Sequence, residues 1–201
     1  MKTVVFIDGE NTLKKILGVY RKHRWAMSAE ILATLPVRPL LDKLLPGQKQ
    51  PVIKYYLAKL HSYPETKAKS AELIALQRAL KSRLEHQRVE VILSGNVRRY
   101  PVGDGKHVFK EKGVDVRLAV DAVSMAADKK MTTAVLMTSD SDMQPVVSEL
   151  IRRGVRVLYV GFQAQPNKGL MYTCQETMLI RDHELKSAFD ATKLKIRRFD
   201  G

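Results

Sequence analysis

The sequence predicts an α/β protein, a three-layer sandwich with a mainly parallel central sheet. Three observations predict it. Short apolar runs such as Val4-Val5-Phe6-Ile7, rich in β-branched and aromatic residues, read as strands covered on both faces. Segments with apolar residues at helical spacing alternate with these runs, which implies parallel strands joined by crossover helices. At 201 residues the chain is long enough for one such domain with a sizeable core.

The first strand, ending "FID", leads into a helix expected over about 13–23, and a second helix is expected from the Ser28 cap toward Leu35. Pro36, Pro39, Pro46, Gly47 and Pro51 punctuate the next stretch, read as a loop around a short helix at 40–45. That loop, 36–51, is a candidate insertion. "PVIKYYLAKL" is the second strand. Leu73, Leu76, Leu80 and Leu84 then recur at helical spacing within a helix expected over 66–86. "RVEVILSG" reads as a third strand, and "NVRRYPVGDGKHVFKEKG" as a β-hairpin turning at Gly103-Asp104-Gly105. "GVDVRLAVDAVSMAAD" is a helix, and "TTAVLMTSDSD" is a strand built like the first. A helix over 145–153 leads to "VRVLYVGF", the last core strand expected. The remainder is mixed and ends in a basic tail, 190–201, so that a single domain spans 1–201.

Thirty-five Lys and Arg stand against 21 Asp and Glu, a net charge of +14. Such an excess favours a polyanionic partner, nucleic acid above all, through phosphate neutralisation and counterion release. The single cysteine, Cys174, excludes an internal disulfide and a multi-cysteine zinc site. No apolar run approaches the ~20 residues of a membrane span, and the N-terminus lacks signal-peptide organisation, so a cytoplasmic location is expected. A homodimer is left open.

The first strand ends in an unusual way, at Asp8-Gly9-Glu10-Asn11, and the strand at 133–137 runs likewise into Asp140 and Asp142. In a parallel sheet these ends share one edge, where α/β sheets bind ligands. A right-handed crossover starts the helix of residues 113–128 near the same edge, with Asp115 in its first turn and Asp121 in its second. Six residues leave those two side chains roughly 120° apart around the helix. Clustered carboxylates repel unless a cation joins them, and hard oxygen ligands suit Mg²⁺ or Mn²⁺. Asp8, Asp115 and Asp140 are the expected metal ligands, with Asn11 and Ser139 beside them to position metal or phosphate. Each acid also has a plainer reading. Asp8 would cap the following helix, Asp115 would favour a helix dipole, Asp121 would pair with Arg117, and Asp142 would cap the helix near Pro145.

"FIDGEN", "KGVDVRLAVDAV" and "LMTSDSDMQPVV", in this order, resemble the three signature segments of NYN domains, the LabA-like branch of the PIN-like nucleases. The resemblance runs from residue 4 to about 160. It implies a PIN-like, Rossmannoid sheet and a divalent-metal-dependent ribonuclease, with the family's acidic positions at Asp8, Asp115, Asp121, Asp140 and Asp142 and its amide at Asn11. Family members often carry a glycine before the fourth-strand acid and an aromatic after the final Asp. This chain has Ser139 and Met143 there, and neither change removes a ligand.

The hairpin interleaves Arg98, Arg99, Lys106, Lys110 and Lys112 with Tyr100, His107 and Phe109, cations for phosphates among rings for unstacked bases. Single-stranded RNA is the expected substrate, with Lys112 and the helix start at Gly113 together able to hold a phosphate. The five histidines, His23, His61, His86, His107 and His183, are scattered, which disfavours metal-free transfer through the 2′-hydroxyl. Two rival functions remain open. Asp8, Glu10 and Thr12 approximate the D-x-D-x-T of haloacid-dehalogenase-type phosphatases, though that scheme leaves Asp115 without a role. A catalytically silent RNA-binding domain is the other rival.

Overall fold

The computed structural model describes residues 2–25, 34–48, 50–62, 67–101 and 107–197, with side chains outside that description at 69, 98, 99, 101, 107–110 and 193–197. Its centre is one seven-stranded sheet. The strands are β1 (Thr3–Asp8), β2 (Val52–Lys59), β3 (Val89–Pro101), β4 (His107–Lys112), β5 (Thr133–Met137), β6 (Arg156–Phe162) and β7 (Glu176–Ile180), in the order β4-β3-β2-β1-β5-β6-β7. All neighbours pair in parallel except the antiparallel β3 and β4. Among the described residues seven helices accompany it: α1 (Gly9–Lys22), α2 (Val37–Leu44), α3 (Lys67–His86), α4 (Val114–Ala127), α5 (Gln144–Arg152), α6 (Lys168–Thr173) and α7 (Asp182–Arg197). None of the described helices is long and apolar enough to cross a membrane.

The alternation of side chains along β1 builds both halves of the core. Val5 and Ile7 join α1, α2, α3 and α7 on one face, whereas Val4 and Phe6 join α4, α5 and α6 on the other. All four are fully buried, as a strand paired on both edges and covered on both faces requires. Three layers result, as the sequence predicts.

Three expectations need correction and one is extended. The first helix begins at Gly9, four residues early, because Asp8 itself accepts a hydrogen bond from the backbone N–H of Asn11 and caps it. The third strand and the first arm of the hairpin are one strand of 13 residues. At Gly95, φ +66°, a Cβ would collide with the carbonyl oxygen of Lys112, so only glycine lets β4 close against β3 at this kink. The chain also carries more regular structure beyond β6 than a mixed remainder with a basic tail at 190–201 suggested. After β6 it adds the edge strand β7 and then α7, which buries Leu185 and Phe189 and stays helical to Arg197. Finally, the short helix of the 36–51 segment begins at Val37 rather than Leu40, with Pro39 tolerated in its first turn. The expected helix from Ser28 and the turn at 103–105 lie outside the described residues.

Gly9 has a steric reason too. A Cβ there would come within 2.5 Å of the Tyr56 carbonyl oxygen and of the Tyr55 ring, because the start of α1 lies directly against β2.

Candidate active site at the carboxyl edge of the sheet

Ile7 of β1 pairs with Met137 of β5, so the residues that follow each strand emerge side by side. Asp8 is 6% exposed. Its Oδ1 accepts from the Asn11 backbone N–H at 3.0 Å, and its Oδ2 accepts from the Asn11 side-chain amide and from Thr138 Oγ1 at 3.4 Å. Burial pushes its pKa above the ordinary carboxylate value, more than these donors pull it down. Among the described residues, no cationic side chain acts on it to offset the desolvation.

The same hydroxyl ties Asp8 to the end of β5. Thr138 Oγ1 accepts from the backbone N–H of Asp140 at 3.1 Å while it donates to Asp8. Ser139 Oγ donates to Asn11 Oδ1 at 3.0 Å, and the Asn167 amide holds the Ser139 carbonyl at 2.9 Å. Asp140 is half-buried and caps a short 3-10 turn, Ser141–Met143, by accepting from the Asp142 N–H at 2.9 Å. Asp8, Asn11, Ser139 and Asp140 are therefore one bonded network. Thr138, which the sequence reading did not single out, joins its two halves.

The other predicted acids are placed differently. Asp115 lies in the first turn of α4 and is exposed. Asp121 is half-buried and paired along its helix: Arg117 Nε donates to it at 2.8 Å. Tyr56 Oη, on the strand beside Asp8, also donates to it at 3.0 Å. Burial first and Asp121 second push the Tyr56 phenol up, so it remains a donor. Asp142 is exposed and does not cap α5, whose N-cap is Met143 without a side-chain bond. Among the described residues, no three His, Cys, Asp and Glu side chains are grouped to hold a metal ion, so Asp8, Asp115 and Asp140 do not form a closed triad. The donor set at Asp8, Asp140 and Asn11 is nonetheless all hard oxygen, and a buried carboxylate with no cationic partner among the described residues fits a divalent cation.

Lys112 is exposed at the end of β4, one residue before the Gly113 that starts α4. The register places Arg98 opposite Lys110 and Arg99 opposite Phe109, while the side chains of Arg98, Arg99 and Lys110 lie outside the described residues.

A further acid escaped the sequence reading. Glu111 on β4 is hydrogen-bonded to Glu10, and its pKa is pushed up to about 9, by burial first, then by Glu10 and Asp8. Its signal was hidden in a hairpin read for its cations. Glu10 in turn pairs with Lys14 at 2.5 Å. Between the unfolded value of 4.5 and about 9, folded Glu111 keeps a proton that the unfolded chain has lost, so stability falls as pH rises through that window. Glu111→Gln should remove this dependence and raise the melting temperature at pH 8 while leaving it unchanged at pH 4. Melting curves at the two pH values check it, and equal shifts at both would contradict it.

Compared with models of known protein families, residues 2–181 match the NYN domain. No curated protein matches the chain. Among solved structures, a protein of unknown function from Vibrio parahaemolyticus is similar at 16% identity and a TM-score of 0.49, over 89% of this chain and 92% of that one. That likeness is too loose to bear on function. The family match takes in both acidic strand ends and the α4 segment between them, nearly the whole sequence: the chain belongs to the NYN domain family, within the PIN-like nuclease superfamily.

Proposed function

We propose that this chain, on its three motifs a LabA-like NYN domain, is a divalent-metal-dependent ribonuclease that hydrolyses RNA phosphodiester bonds at the Asp8–Asp140 cleft. The observation that carries the reading is Asp8. A carboxylate is buried at the end of the central strand, without a cationic partner among the described residues, and is bonded through Thr138 to the strand end that carries Asp140. Burying an acid in this way is unfavourable for the fold alone.

Asp8 and Asp140 would hold Mg²⁺ or Mn²⁺, with Asp115 contributing from the first turn of α4. Such an ion, when bound, lowers the pKa of a coordinated water and neutralises charge developing on a phosphoryl oxygen. The rest of the work belongs to the protein. Asn11, fixed between Asp8 and Ser139, keeps the first carboxylate in one orientation. Ser139, at the rim, would turn its hydroxyl proton from Asn11 to a phosphate oxygen when substrate binds. Asp121, held by Tyr56 and Arg117, or Asp142, on the exposed turn, would orient a water or a second ion.

Lys112, Arg98, Arg99 and Lys110 would carry the RNA backbone along the hairpin. The ladder register sets Arg98 opposite Lys110, two cationic residue types at one level of the hairpin that a phosphate backbone would neutralise. Alanine at Arg98, Arg99 and Lys110 should weaken RNA binding. Its salt dependence should flatten by about one unit of log–log slope for each phosphate that is no longer neutralised. Titrations at several salt concentrations check this, and an unchanged slope would move the substrate path off the hairpin.

Incubating the protein with end-labelled structured and unstructured RNAs, in Mn²⁺ and in EDTA, tests the activity. Cleavage in Mn²⁺ that chelation abolishes is expected. Tight RNA binding with no cleavage in any metal would instead assign the chain to the catalytically silent branch of this reading.

A further inference from the structure

We propose that Tyr172, together with Met171 and Lys168, forms a stacking platform for an unpaired RNA base on the flank of the site opposite the hairpin. The inference rests on RNA being the substrate. Tyr172 is 90% exposed and Met171 37%, on a helix whose Leu170 is fully buried. A tyrosine that leaves its whole ring in water contributes nothing to the core, and amphipathic rings of this kind are suited to contact.

The platform is tied to the chemistry. The helix α6 packs directly on the Ser141–Met143 turn that Asp140 caps. Thr173 Oγ1 donates to Gln144 Oε1 at 3.1 Å, and Asn167, which caps α6, holds the Ser139 carbonyl at 2.9 Å. The ring of Tyr172 therefore stands on an element that Asn167, Thr173 and the packed turn fix to the acidic network. Lys168, one turn before Tyr172, is exposed, and half-buried Lys15 on α1 meets the loop after β6 through Gln165. Cations beside an exposed ring suit a phosphate followed by its base.

The position of α6 in the fold points the same way. The strand order puts the hairpin to one side of β1 and β5 and α6, which follows β6, to the other. Four strand spacings separate β3 from β6, about 20 Å. α6 starts at the carboxyl edge with Asn167 and runs back along the flank toward Gln175 beside Val157. A single strand would therefore meet hairpin cations first, the Asp8–Asp140 cleft next, then Lys168 and, one turn down the flank, Tyr172. Bases stacked inside a duplex cannot reach such a platform, so it selects single-stranded or looped RNA.

The test measures binding in EDTA of a fluorescein-labelled single-stranded RNA of mixed sequence, an abasic RNA of the same length, and a duplex. Because Tyr172 is exposed, Tyr172→Ala should melt as the wild type does. It should weaken binding of the single strand about 5- to 100-fold, the range expected when one base loses its stacking partner. Affinity for the abasic strand and the duplex should not change, nor should the salt slope. Tyr172→Phe should restore the affinity, whereas Lys168→Ala should lower the salt slope by about one. Wild-type affinity in Tyr172→Ala, or an equal loss on abasic RNA, would overturn the proposal. So would a change in the sedimentation of free Tyr172→Ala with RNA affinity intact, which would assign the face to a second copy. Metal-dependent cleavage alongside an inert Tyr172 leaves the nuclease reading standing. A Tyr172 effect on binding without any cleavage leaves the platform standing and removes the nuclease.

Discussion

Asp8→Asn should reduce RNA cleavage by several orders of magnitude while the protein melts within a few degrees of wild type. The two halves of that result have different causes. Asparagine keeps the shape of the side chain and one acceptor, so the backbone N–H of Asn11 stays satisfied and α1 stays capped. It also removes a carboxylate whose ionisation burial opposes, which offsets the loss of an acceptor for Thr138 and the Asn11 amide. What it cannot do is supply the negative charge that a divalent cation needs, and the catalysis that depends on that cation goes with it. Asp140→Asn and Asp115→Asn should behave in the same direction. Steady-state cleavage and thermal melts on the same preparations check the pair of expectations. Wild-type activity in all three variants would remove the proposed site, and a collapse in stability would show Asp8 to be chiefly a cap.

Gly9→Ala should be strongly destabilising, with activity lost through the fold. The added carbon would approach a backbone carbonyl at 2.5 Å, the Tyr55 ring at 2.5 Å and Leu57 at 2.7 Å. The carbonyl belongs to β2 and cannot rotate away, so α1 must lift from the sheet. Overpacking of this kind costs about 1–3 kcal/mol, and for a chain of this size each kcal/mol lowers the melting temperature by roughly 2–4 °C. The lift would also displace Asn11 and break the bonds that hold Asp8. Thermal denaturation reads the effect directly, and a melting temperature within a degree of wild type would show that β2 yields more readily than this packing implies.

The fold was legible wherever the sequence signal came from burial on two sides. β1, β5 and β6 read as apolar runs because central strands must be apolar on both faces, and their order along the chain implied the parallel sheet. The edge was harder. β7 is short and half-buried over four of its five residues, so "ETMLI" did not stand out, and α7 went unread because Leu185 and Phe189 are sparse apolar anchors among charged residues. The site shows the same division. Asp8 and Asp140 announced themselves by ending apolar strands with charge. Gly9 stood in plain view without a reason, since its reason is the distance to another strand. Glu111 could not be found from the sequence because its raised pKa comes from burial first and then from Glu10 and Asp8, far away along the chain. Asp121 was legible in part: the i, i+4 arginine that pairs with it was visible in the sequence, whereas the Tyr56 hydroxyl that also donates to it comes from another strand.

The central claim is hydrolysis by water at a carboxylate-held metal, and the ends of the cleaved RNA test it most directly. Two of the histidines are already engaged elsewhere: His23 with Asp182 at 2.6 Å and His61 with Asn96 at 2.9 Å. Attack by water leaves the sugar uninvolved, so the products should carry a 5′-phosphate and a 3′-hydroxyl, should appear with Mn²⁺, and should vanish with EDTA. A 2′,3′-cyclic phosphate, or cleavage that persists in EDTA, would contradict the account even though the NYN fold stands.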